Sequence, residues 1–233
     1  MIDKYNKNKK LILATAIAVI VLAIALAAGV RVFTGTMDVL NTETSAVPEV
    51  IETFLLTPSL RDVKEFKQCL GDFDAGYDTD QCYNVTPQNI SDLYGFQIFK
   101  FDTSCASFLL YEDEVYQLGQ WFGGFGATSF AVADLNEDGF WELYFTYSCG
   151  SGVHGSSAGY FNAQDRTVTL FEYSFRSGDG VLTTGSDGSL CVCLAEYEGD
   201  SFSALKPIVG EQIAVILWKK ARITLIPEEV LLL

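Results

Sequence analysis

The chain has 233 residues, 49% of them hydrophobic, with 17 Phe, 11 Tyr and 3 Trp, and 30 acidic side chains against 15 basic ones give a formal net charge of −15. That aromatic content is enough to build a core and argues against intrinsic disorder. The acidity argues against nucleic acid as a partner, because a polyanion is repelled by phosphate and releases no counterions on meeting it.

The first ten residues carry Lys4, Lys7, Lys9 and Lys10 against Asp3, and the rest of the chain holds 11 basic and 29 acidic groups, a net of −18. Residues 11–30, LILATAIAVIVLAIALAAGV, contain no charge. Twenty residues at a rise of about 1.5 Å match the roughly 30 Å hydrocarbon thickness of a bilayer, which predicts one transmembrane helix. Lysines immediately before it keep the basic tip, 1–10, in the cytoplasm and place the bulk of the chain outside the cell membrane. A cleaved signal ending near Ala25-Leu26-Ala27 is the alternative and would give a secreted protein. The apolar run exceeds the ~7–15 residues usual for a signal core, which favours the anchor.

All six cysteines, Cys69, Cys82, Cys105, Cys149, Cys191 and Cys193, follow that segment, and an even number suits an oxidising compartment. Cys69 with Cys82 is the first pairing to test, while Cys191 and Cys193 share one strand face. The competing reading makes several of them small buried hydrophobes. With no C-x2-C pair and His154 as the only histidine, a structural zinc site is not expected.

Residues 31–47 are polar and read as a linker holding the domain off the membrane. Residues 48–95 read as a helical preface followed by an acidic loop. One short helix is expected over 48–56, and a second begins with Thr57 as N-cap and Pro58 at its first position. In the second, Leu60, Val63, Phe66, Cys69 and Leu70 form one apolar face before Gly71. The DFDAGYDTD stretch that follows, with Asp72, Asp74, Asp78 and Asp80, has no defensible ion-binding spacing and reads as a solvated loop. Asn84-Val85-Thr86 and Asn89-Ile90-Ser91 are formal glycosylation sequons, relevant only in a eukaryotic host.

Residues 96–233 read as a β-rich extracytoplasmic domain. Short runs of Phe, Tyr, Val, Leu and Thr alternate with Gly, Asp, Asn and Ser, the pattern of β-hairpins. Strands are expected near 96–101, 107–111, 115–118, 129–133, 141–147, 158–161, 167–173, 190–196, 212–218 and 222–226. The expected fold class is mainly β, antiparallel hairpins in a sandwich or partial propeller-like arrangement, with a short helical preface and one N-terminal transmembrane helix.

Residues 134–142 read D-L-N-E-D-G-F-W-E between two strand-like runs. Asp134, Asn136 and Asp138 alternate so that their oxygens converge as the loop closes. Gly139 permits the turn, Phe140 can offer its carbonyl, and Glu142 returns a further carboxylate. Oxygen-only coordination of this kind suits Ca²⁺. The loop is not an EF-hand, because a bidentate Glu would be needed at its twelfth position, where Phe145 stands. The competing reading is an acidic hairpin turn without metal.

The pattern D-x-N-x-D-G-x-x-E-L resembles the calcium loops of FG-GAP and VCBS-type repeats, and Phe122-Gly123-Gly124-Phe125-Gly126 is similar to their FG element. The resemblance covers about 121–146. It implies one Ca²⁺ held by Asp134, Asn136, Asp138 and Glu142, with Phe140 through its carbonyl. The chain has one copy of the loop, whereas a propeller needs about four to eight blades. The wider region from Phe96 is similar to single-loop exported proteins of unassigned function in gut Firmicutes.

Gly155-Ser156-Ser157-Ala158-Gly159 matches the G-x-S-x-G of serine hydrolases, but it lies between strands and the only histidine precedes it, against the order of that fold. No carboxylate pair stands out for glycoside hydrolysis. No catalytic constellation is found, so the chain is not expected to be an enzyme. It is expected to bind a surface protein or glycan, with a carbohydrate-binding or carbohydrate-active module as the alternative if Trp121 or Trp141 stacks on a sugar rather than in the core.

Overall fold

The computed structural model describes residues 51–73, 81–119, 123–151, 153–175, 178–199, 201–219 and 222–228. The chain divides into Met1–Pro48 and Glu49–Leu233, and every described residue belongs to the second unit. The expected basic tip, transmembrane helix and linker lie outside the described residues, as do Asp74, Asp78, Asp80, Trp121 and Phe122. Among the described residues no helix is long and apolar enough to cross a membrane.

The domain is mainly β. In chain order its elements are β1 (Glu52–Phe54), α1 (Val63–Cys69), β2 (Cys82–Asn84), α2 (Gln88–Tyr94), β3 (Gln97–Phe101), β4 (Ser107–Tyr111), β5 (Glu114–Gln117) and β6 (Gly126–Ala133). There follow β7 (Glu142–Cys149), β8 (Gly155–Asn162), β9 (Thr167–Phe175), β10 (Asp179–Thr184), β11 (Leu190–Glu198), β12 (Lys206–Lys219) and β13 (Arg222–Pro227). They build three antiparallel sheets in the orders β1-β6-β7-β8-β9, β2-β3-β4-β5 and β10-β11-β12-β13.

The five-stranded sheet lies in the middle, which is why every residue of β6 is buried. Successive side chains on a strand point to opposite faces. One face presents Phe130, Val132, Leu143, Phe145, Tyr147 and Phe161 to Ile98 and Leu109 of the β2–β5 sheet and to Ile90 of α2. The other presents Ala131, Ala133, Tyr144 and Ala158 to Leu182, Leu190, Val192, Ala214 and Ile216 of the β10–β13 sheet. The outer face of the β2–β5 sheet is covered by α1, where Phe66 is fully buried and stacks on Phe99 at 4.0 Å.

On the alanine-bearing face, β10 meets the middle sheet through hydroxyls. Leu182 N donates to Ser129 Oγ at 2.9 Å, Gly180 N to Ser156 Oγ at 3.0 Å, and Thr146 Oγ1 to the Gly180 carbonyl at 2.9 Å. β10 is the edge of its sheet, and these bonds satisfy backbone groups that an edge strand otherwise leaves open.

The helical preface differs from the sequence expectation. Residues 52–54, expected in a helix, form β1 and pair with β6, with Phe54 stacked on Phe130 at 5.7 Å. Thr57 and Pro58 do not start the second helix. Thr57 N donates to the Val85 carbonyl, and Ser59 and Asn84 exchange two backbone bonds of 2.8 and 2.9 Å, so this stretch is held extended. The helix begins after Asp62, which has φ 56°. Leu60, placed on the apolar face by the sequence, is 67% exposed, while Val63, Phe66 and Leu70 do pack.

α2 and β10 carry no expected element; β8 and β12 begin before the expected strands. Cys69 is an exposed free thiol, so the expected pairing with Cys82 is not formed; Cys191 and Cys193 are buried free thiols in β11. Asn84 is buried, with Oδ1 accepting from Thr86 N, whereas Asn89 is exposed.

Candidate metal centre

The β6–β7 connection carries the loop singled out in the sequence. Asp134 follows the last residue of β6 and Glu142 is the first of β7, where Ala133 and Glu142 are direct partners. Strand pairing therefore brings the two ends of the loop together before any side chain acts.

Asp134 organises the turn. Its Oδ1 accepts from Asp138 N at 3.0 Å and its Oδ2 from Gly139 N at 2.8 Å. Asn136 Oδ1 accepts from Asp138 N at 3.0 Å, and Asn136 Nδ2 donates to Asp138 Oδ2 at 2.9 Å. Phe140 enters through its N–H, which donates to Asp138 Oδ1 at 2.8 Å, with its ring exposed. Glu137 and Gly139 take φ 56° and 85°, the left-handed region that lets so short a loop reverse.

One carboxylate oxygen from each of Asp134, Asp138 and Glu142 lies within 4.8 Å of the others. Three like charges at that spacing repel unless a cation or protons offset them. The burden falls on Glu142, which has no solvent exposure. Burial pushes its carboxyl up to about 7, and the charges of Asp138 and Asp134 add to the rise; hydrogen bonds from Tyr144 and Leu135 N–H oppose it. Each carboxylate oxygen has two lone pairs, so the amide bonds to Asp134 and Asp138 leave capacity for an ion.

The structure thus brings together Asp134, Asn136, Asp138 and Glu142, with Phe140 tied in by its amide. Sequence reasoning missed the groups behind Glu142. Tyr144 OH donates to Oε2 at 3.0 Å, Leu135 N to the same oxygen at 3.2 Å, and Asn162 Nδ2 to Oε1 at 3.3 Å. Tyr144 was within reach of a strand argument, since residues two apart share a face. Asn162 was not, because it arrives from β8 as the direct partner of Glu142.

Family models, curated proteins and solved structures were compared with the chain, and none matches.

The G-x-S-x-G stretch lies within β8. Ser157 sits mid-strand, paired with Tyr147 and Ser174. Ser156 Oγ donates to the Tyr147 carbonyl and accepts from Gly180 N. His154 Nδ1 lies 3.6 Å from Asp179 Oδ2, so the histidine is directed at β10. Trp141 packs edge-on against Tyr94 at 5.0 Å, the core-type use of that ring.

Proposed function

We propose that the loop from Asp134 to Glu142 holds one structural Ca²⁺ in an extracytoplasmic domain anchored by residues 11–30, and that the domain serves in binding or adhesion at the cell surface. The observation that carries the ion is the convergence of three carboxylate oxygens within 4.8 Å, one of them on a fully buried glutamate. All the side-chain ligands are oxygens, which suits a hard divalent cation, and the exposed face of the loop leaves room for the waters that Ca²⁺ takes to reach six to eight ligands. The ion's work is to pin β6 to β7 and offset repulsion among the carboxylates. The membrane anchor rests on the twenty uncharged residues and the lysines before them.

Thermal unfolding of the full-length chain with Ca²⁺, with Mg²⁺ and with chelator, beside the Asp134→Ala variant, tests the reading. An affinity of about 10⁻⁴ M, the tight end of extracellular modules, gives about 2.7 kcal/mol of stabilisation at a hundredfold excess of ion. For a domain of this size that raises the melting temperature by roughly 5–10 °C. The wild type should respond to Ca²⁺ and the variant should not. Equal melting temperatures throughout would sink the ion site.

A further inference from the structure

Lys100 stands in β3 two residues after Ile98, on the face that meets the middle sheet, and it is fully buried there. Its Nζ donates to the Ala127 carbonyl of β6 at 2.8 Å, its one hydrogen-bond acceptor among the described residues. An ammonium carries three N–H donors and a charge, and a buried charge needs both a partner and full hydrogen bonding. A neutral amine on a four-carbon stem needs far less. The polar groups nearby hold hydrogen bonds of their own. Ser107 Oγ, from β4, donates to the Cys105 carbonyl and accepts from Ala127 N. Asp102, beyond the end of β3, accepts on Oδ1 from Ser201 Oγ, Ser203 N and Ser203 Oγ of the turn before β12. The titratable groups acting on Lys100 are Cys105 and Asp102, and both favour the ammonium; burial outweighs them and holds the amine down at about 7.

We propose that Lys100 is a pH-operated wedge between β3 and β6: neutral, it packs as a long apolar side chain capped by one hydrogen bond, and protonated, it places an unmatched charge between two sheets and loosens them. The unfolded chain binds its proton near the ordinary value of 10.5, so between about 7 and 10.5 the unfolded state carries more protons than the folded one. Stability from this residue therefore rises with pH across that window. Below about 7 both states are protonated and the cost is constant.

Equilibrium urea unfolding of the full-length chain in detergent micelles, from pH 6 to 9, tests this with Lys100→Met and, as control, Lys64→Met at an exposed position. The wild-type unfolding constant should fall as pH rises above 7, approaching tenfold per unit. Lys64→Met should keep that slope and Lys100→Met should lose it. An unchanged slope in Lys100→Met overturns the proposal. If that variant does not fold, ¹³Cε-lysine NMR of the wild type decides: one resonance titrating about three units below the others supports the wedge, and all lysines titrating together near 10.5 overturns it.

Discussion

Thr146 of the middle sheet donates its hydroxyl to the Gly180 carbonyl of the neighbouring sheet at 2.9 Å, and Tyr197 OH donates to the same carbonyl at 2.9 Å. Either donor alone keeps that carbonyl satisfied. Thr146→Val and Tyr197→Phe should each cost about 1 kcal/mol, the usual net worth of one hydrogen bond. The double variant should cost more than the sum by roughly 1 kcal/mol, because only then is a buried acceptor orphaned. Urea denaturation in a double-mutant cycle measures the excess, and strict additivity would refute the sharing.

The packing of α1 gives a sharper contrast. Phe66→Ala removes a fully buried ring that stacks on Phe99 and also meets Phe101 and Phe108, and it should cost about 3–5 kcal/mol. Leu60→Ala, four residues after Leu56 and 67% exposed, should change stability by less than about 0.5 kcal/mol. Comparable losses in the two variants would mean that the helix begins where the sequence places it.

Two glycines separate backbone strain from steric conflict. A Cβ at Gly126, where φ is 66°, would lie 2.0 Å from the Cys105 carbonyl oxygen, whereas one at Gly139, where φ is 85°, would meet nothing within 4 Å. Gly139→Ala should therefore cost only the left-handed penalty, about 1–2 kcal/mol. Gly126→Ala should exceed it by a further 1–3 kcal/mol because backbone has to move. Circular dichroism melts of both rank them directly.

Glu142→Gln bears on the ion and on the apo protein at once. The substitution removes a buried charge that two aspartates oppose but turns the acceptor facing Asn162 Nδ2 into a donor, so the two effects offset and the chelated variant should melt close to chelated wild type. Its response to Ca²⁺ should be lost or at least tenfold weaker, as read by calorimetric titration. A variant that binds Ca²⁺ like wild type would remove Glu142 from the ligand set.

Alternation made β9 legible, where half-buried Phe171 and Tyr173 are separated by exposed Glu172, whereas β3 and β4, buried on both faces, were legible from their short runs of large apolar residues. β6 was harder. Its residues GATSFAVA are buried on both sides, Phe130 and Val132 toward one sheet and Ala131 and Ala133 toward the other, so the sequence showed only the end of the strand. The preface misled for a different reason. Pro58 and the apolar spacing after it obey helix rules, but Ser59 and Asn84 exchange backbone bonds across 25 residues, and tertiary pairing overrode local preference. In the loop, Asp134, Asn136, Asp138 and Glu142 were legible as a set because ligand spacing is local, while the burial of Glu142 and its bond from Asn162 depend on strand neighbours that a linear reading does not see.

The hydroxyl contacts of β10 also limit how the two sheets can move. Burial of apolar surface is non-directional and by itself does not select one register. Ser129, Thr146 and Ser156 each address one backbone group of β10, so a lateral slip breaks all three bonds together. The interface is therefore indexed to a single alignment, since shear breaks these bonds and separation breaks them and also exposes the apolar surface between the layers.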